Sequence, residues 1–243
     1  MKERLKILIV NDDGIAASGL RHLAKAALAF GEVYVAAPAE QCSGMSQKIT
    51  IFDPIPVQRV AYELPVSGAW RIGGTPADCV KAAIHALLPE KPDFVLSGIN
   101  SGYNAGFDTV YSGTVGAAME GLMKGVPAIA VSQDFGEDYT LSDALLPDLL
   151  RELLDSPLPR DEMWNVNFPA CAPGECRGIL RDTTLAPLQV FPDLYDIQGE
   201  ADSFCMKNIS TPLLRADAAP AGSDVWALLN GWVSVGRLRC RVL

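Results

Sequence analysis

The chain has 243 residues, of which 49% are hydrophobic and 20% charged, and its formal net charge is −9. That length and balance suit one large buried core, which excludes a disordered or fibrous protein. The acidic excess argues against a nucleic-acid duplex as partner, because duplex binding rests on Lys and Arg neutralising phosphates. It leaves room for a small phosphorylated ligand beside a bound cation, which reverses the local field.

The charged start, Met1–Lys2–Glu3–Arg4, leads directly into the apolar run Ile7–Leu8–Ile9–Val10. Four residues are too few for a signal-peptide core, and no apolar run approaches the length of a membrane span. The expected location is the cytosol, without a membrane partner. The six cysteines form no Cys-x-x-Cys pair and are expected to be reduced. With only His22 and His85, a zinc site is not expected, and both histidines read as ordinary helix residues.

The run Lys6 to Val10 is short and rich in branched side chains, and reads as a buried strand of a parallel sheet. It stops on Asn11–Asp12–Asp13–Gly14. Leu20, Leu23, Ala24, Ala27 and Leu28 then recur with the spacing of an amphipathic helix, and Gly31 is placed to end it. Glu32 to Ala37 is a second strand, and Pro38 to Gln47 a loop above the same sheet edge. Lys48 to Tyr62 holds two extended segments broken by Pro54 and Pro56. Gly73 to Asp78 opens a helix, with Thr75 as N-cap, Pro76 in the first helical position and Asp78 closing a variant capping box. Asp93 to Leu96 is a short strand before the polar loop Ser97–Gly98–Ile99–Asn100–Ser101–Gly102–Tyr103–Asn104–Ala105–Gly106. Ser112–Gly113–Thr114 begins a helix with Val115, Ala118, Met119, Leu122 and Met123 on one face. Gly125 ends it, and Val126 to Val131 is another buried strand. A helix follows around Leu141 to Leu154, with Pro147 near its start or kinking it, and Asn165 to Phe168 adds a strand.

Strand and helix thus alternate from residue 5 to about 155, the pattern of a Rossmann-like, doubly wound α/β fold with a mostly parallel sheet. The expected division is a Rossmann-like domain over 1–168 and a C-terminal extension over 169–243, in the same domain or as a subdomain. From Pro169 to Ala221 the period fails, and irregular or hairpin structure used in subunit contacts is expected. Asp224 to Leu229 reads as a short helix and Trp232 to Leu238 as a strand.

Carboxylates repel one another, so two at the end of a buried strand point to a cation between them. In open α/β sheets that edge is where ligands bind. Asn100 follows a later strand on the same edge, and Ser43 lies in the loop after the second. Each alone reads as a turn residue more often than as a ligand, and Asp13 alone as a helix cap; the shared edge is what joins them. An all-oxygen site of Asp12, Asp13, a hydroxyl and an amide carbonyl suits Mg²⁺, Mn²⁺ or Ca²⁺. Ser112–Gly113–Thr114 presents amide N–H groups at a helix N-terminus, which suits a phosphate but is also what simple capping by Ser112 produces. Neither a Gly-x-Gly-x-x-Gly fingerprint nor a Walker motif follows the first strand.

Five motifs in order, Asn11–Asp12–Asp13–Gly14, Ser43–Gly44, Gly74 to Val80, Ser97 to Asn104 and Tyr111 to Ala118, together resemble the SurE family of metal-dependent 5′/3′-nucleotidases. The resemblance runs from residue 5 to about 135 and continues in Asn165–Val166–Asn167–Phe168–Pro169. It implies a Rossmann-like domain, a divalent cation (Mg²⁺ or Mn²⁺) and hydrolysis of nucleoside monophosphates. By motif position the metal ligands fall on Asp12, Asp13, Ser43 and Asn100, with Asp12 and Asp13 catalytic. Phosphate and substrate contacts fall on Asn104, Ser112, Gly113 and Thr114. A homodimer or homotetramer is implied as well. The chain departs from the family in carrying Glu40, Gln41 and Cys42 where basic residues usually precede the serine loop, in its segment Arg177 to Asn208, and in Ser234 to Leu238. Two alternatives to a phosphomonoesterase stand beside it: a non-catalytic nucleotide-binding sensor, and a phosphoaspartyl-type phosphotransferase with Asp12 as nucleophile, although the Asp-x-Asp spacing of such enzymes is missing.

Overall fold

A computed structural model describes residues 4–200, 203–209 and 219–240. In chain order the elements are β1 (Leu5–Val10), α1 (Ser18–Ala27), β2 (Gly31–Pro38), β3 (Val57–Arg59), β4 (Gly68–Ile72), α2 (Pro76–Ala82), β5 (Phe94–Ser101), α3 (Gly113–Met123), β6 (Ala128–Gln133), α4 (Thr140–Leu154), β7 (Glu162–Phe168), β8 (Ile179–Thr183), β9 (Tyr195–Glu200), β10 (Ser203–Asn208), α5 (Asp224–Leu229) and β11 (Val233–Arg239). A nine-stranded sheet runs β3-β4-β2-β1-β5-β6-β7-β11-β8. From β4 to β7 every pairing is parallel. The antiparallel pairings of this sheet lie towards its margins, β3 on β4 and β11 on β7.

The central strands are buried on both faces, which is why they read as unbroken apolar runs. Alternate residues serve opposite layers. Ile7 and Ile9 pack with Leu20, Leu23 and Ala24 of α1 and with Leu146, Leu149, Leu150 and Leu153 of α4. Leu8 and Val10 pack with Val80 of α2 and with Val115, Ala118 and Leu122 of α3. The Thr75 box forms as the sequence predicts: the Asp78 N–H donates to Thr75 Oγ1 at 3.2 Å and the Thr75 N–H to Asp78 Oδ2 at 3.0 Å. Helix α4 runs through Pro147.

Several expectations are corrected. Gly31 does not stop α1; it opens β2, where a Cβ would stand 2.0 Å from the Leu5 carbonyl oxygen, so the glycine permits close approach to β1. Asp13 does not cap α1, whose N-cap is Ala17. Only one of the two extended segments expected over 48–62 is a strand, β3. Strand β4 lay outside the reading because it mixes Gly, Trp and Arg. Strand β5 runs on to Ser101 through a register shift between Ser97 and Asn100. There Gly98, at φ +131°, sits where a Cβ would meet the Val131 carbonyl oxygen at 2.1 Å. Beyond Pro169, β8 and β11 join the main sheet, and β9 and β10 form the expected hairpin.

Candidate functional site

The chain leaves β1 in one direction through α1 to β2, and β5 pairs with the other side of β1. The carboxyl ends of β1 and β5 therefore flank a switch point of the sheet, where open α/β folds form their ligand crevice. Asp12 and Asp13 follow β1, and Asn100 lies at the end of β5. A cavity of about 670 Å³ opens there. Asp12, Ser43, Asn100, Asn104 and Ser112 all line it. Asp13 sits beside it: Oδ2 accepts from the Ser101 N–H at 3.4 Å, and Oδ1 from Nε2 of the cavity-lining Gln41 at 3.5 Å.

Local bonds set these positions. The Asn11 side chain closes the turn after β1, donating to the Gly14 carbonyl at 3.0 Å and accepting from its N–H at 3.2 Å. Gly14 takes φ +101°, a left-handed conformation suited to glycine. The Cys42 N–H donates to the Asp12 carbonyl at 2.7 Å, which draws the Ser43 loop over the end of β1. Asn100 donates through Nδ2 to the Gly102 carbonyl at 2.7 Å, which leaves its side-chain oxygen as the atom able to ligate.

The N-terminus of α3 meets Asp12 first. The Thr114 hydroxyl donates to Asp12 Oδ1, and a Cβ on Gly113 would stand 2.8 Å from Asp12 Oδ2. Thr114 is fully buried and, with Gly113, is absent from the cavity lining. The Thr114 hydroxyl thus holds a carboxylate, and the positive end of the helix supports that carboxylate's charge. Ser112 caps α3, its Oγ accepting from the Val115 N–H at 3.0 Å, while also lining the cavity.

Asn104 is braced by residues the sequence reading did not single out as site residues. Its Nδ2 donates to Ser132 Oγ at 2.8 Å, its N–H to Asn167 Oδ1 at 2.9 Å, and its carbonyl accepts from Asn165 and Asn167. The available signal was Asn165-x-Asn167 inside an apolar strand, two amides on one buried face. Asp108 was also passed over; its Oδ2 accepts the N–H groups of Val190 and Phe191, pinning that loop beside the cavity. His22 lies elsewhere, bonded to Asp143 and stacked on Tyr139 at 4.1 Å.

Burial is the main reason the Asp12 carboxyl is lifted to about 6; Thr114 opposes the rise and Asp13 adds to it. Burial also raises Asp13, against hydrogen bonds from Ser101 and Gln41. Among the described residues no lysine or arginine lines the cavity, and no three His, Cys, Asp or Glu side chains lie together so as to hold a metal ion by themselves. Two crowded carboxylates without a basic neighbour, joined by a hydroxyl and an amide oxygen, form a donor set that fits a hard divalent cation.

The comparisons agree with this architecture. The model of the family described as "Survival protein SurE" matches residues 7–187. A protein named 5′-nucleotidase SurE from Gemmatimonas aurantiaca is 46% identical over 239 residues, covering 95% of this chain and 91% of that one. A Chlamydia caviae protein named 5′-nucleotidase SurE 1 is 45% identical over 177 residues; the match covers 70% of this chain and spans 63% of the relative's length. The crystal structure of the SurE protein from Aquifex aeolicus superposes with a TM-score of 0.80 at 32% identity, covering 96% of this chain and 93% of that one. With the family model spanning most of the chain and the fold and motif order in accord, the chain belongs to the SurE family.

Proposed function

We propose that this protein is a divalent-metal-dependent phosphomonoesterase that hydrolyses nucleoside 5′-monophosphates, and 3′-monophosphates, to nucleoside and phosphate. The observation that carries the reading is the pairing of Asp12 and Asp13 with Asn100 and Ser43 at the switch-point cavity. The names of the relatives support the nucleotidase activity.

Asp12, Asp13, Ser43 and Asn100 would hold Mg²⁺ or Mn²⁺, which when bound supplies Lewis-acid polarisation of the phosphoryl group and activation of water. Asp12 orients the attacking water and accepts its proton at the carboxylate oxygen that Thr114 does not engage. Asn104 and the amides of Ser112, Gly113 and Thr114 hold the remaining phosphate oxygens, while the Thr114 hydroxyl braces Asp12.

Replacing Asp13 with Asn lowers metal-stimulated phosphate release by on the order of 100-fold or more while the far-ultraviolet circular dichroism stays unchanged, because removing a ligand costs at least what removing its outer partners does. Unchanged turnover in Asp13→Asn would overturn the assignment. Nucleotide-induced stabilisation without phosphate release would instead identify a sensor. We also propose that the β9–β10 hairpin assembles the chain into a homodimer or homotetramer.

A further inference from the structure

Beside its carboxylates, the cavity is lined by aromatic rings. Phe135 and Phe191 both line it and meet edge to face, with ring centres 5.8 Å apart and planes at 88°. Phe135 also rests on Gly102, two residues after Asn100: a Cβ there would stand 2.8 Å from the tip of its ring. Phe191 is fixed through its N–H to Asp108, which ties it to the turn leading into α3. The two rings are thus held from the same loops that carry Asn100 and Ser112. Yet Phe135 remains 52% exposed, and Tyr111 beside the same cavity 55%. Large apolar rings left open to solvent around a polar crevice mark a surface made for a ligand.

The charge of this wall narrows the ligand further. Asp108 and Asp193 line it together with Asp12, and among the described residues no lysine or arginine does. Among the described residues a second or third phosphate would find no lysine or arginine in the lining, whereas a flat, uncharged heterocycle would find π-faces. Resting on the phosphomonoesterase reading above, we infer that Phe135 and Phe191 seat the nucleobase, and that this chain selects nucleoside monophosphates over both base-free sugar phosphates and longer phosphate chains. Base stacking on an aromatic side chain is worth about 1–3 kcal/mol per base by alanine substitution, roughly a 5- to 150-fold effect.

The test compares kcat/KM for adenosine 5′-monophosphate, ribose 5-phosphate and inorganic tripolyphosphate, using the full chain with Mn²⁺, in wild type, Phe135→Leu and Phe191→Leu. The expected wild-type order places the nucleotide first and tripolyphosphate last. Each leucine variant lowers the ratio of nucleotide to sugar phosphate about tenfold, chiefly through KM for the nucleotide. A merely structural role for the rings would slow both substrates together and leave that ratio where it was, which overturns this inference alone. A wild type that cleaves ribose 5-phosphate or tripolyphosphate as well as the nucleotide overturns it too. Absence of phosphate release from every substrate overturns the phosphomonoesterase reading, and the base seat with it.

Discussion

Thr114 decides what the start of α3 can do. Its hydroxyl donates to a buried carboxylate, and a hydrogen bond to a charged group is worth about 1.5–3 kcal/mol. Thr114→Val is therefore expected to slow phosphate release by one to two orders of magnitude, with Thr114→Ser recovering most of the loss; steady-state kinetics of the pair checks this. Gly98 shows a second kind of residue-scale constraint. Its φ of +131° and its distance from Val131 leave no room for a side chain, so Gly98→Ala is expected to destabilise the fold by about 3 kcal/mol, measured as a shift in the urea midpoint. Neither fact is local. Asp12 was legible because an apolar run ends on it, and Asn100 because it follows another. The partner of Thr114 lies 102 residues away and left no trace in spacing, so the bond that holds Asp12 was not legible.

Among the elements, the clearest sequence signal was the start of α2. Thr75, Pro76 and Asp78 carry their roles within four residues, and the box forms as read. Burial works to raise the Asp78 carboxyl, but hydrogen bonds from Thr50 and Thr75 outweigh it and hold the group below its usual range. A depressed carboxyl stabilises the fold above the unfolded value near 4, and that contribution fades as the pH falls through the folded value. Asp78→Asn is thus expected to cost about 1–2 kcal/mol at pH 7, and the gap to wild type should shrink below about pH 4 in acid-titrated thermal melts. Strand β8 was missed because residues 180 to 182 read Leu–Arg–Asp at the sheet margin, with Arg181 and Asp182 both exposed, so it carries neither an apolar run nor an alternation. Helix α5 and strand β11 were legible because their apolar residues repeat at short range.

For the whole molecule, the hairpin is the feature that one chain leaves open. Cross-strand partners share a face, so the pairings Ile197–Met206 and Gly199–Phe204 set Ile197, Met206 and Phe204 beside Tyr195, with Asp196 and Lys207 on the other side. Every residue of both strands is exposed, and a lone two-stranded hairpin is marginal in water. Light scattering is expected to give a mass at least twice the 26.0 kDa of one chain, and Ile197→Lys combined with Met206→Lys is expected to return it to one. An unchanged mass in that double variant would dissociate the hairpin from assembly.

The central claim is that oxygens on three separate turns of the sheet edge converge to support metal-dependent cleavage of a phosphomonoester. It is tested most directly by phosphate release from nucleoside 5′-monophosphates after chelator treatment, with Mg²⁺, Mn²⁺ or EDTA added back. Either cation is expected to restore release and EDTA to abolish it, with that stimulation lost in Asp13→Asn. Full activity in EDTA, or none with either cation, would contradict it.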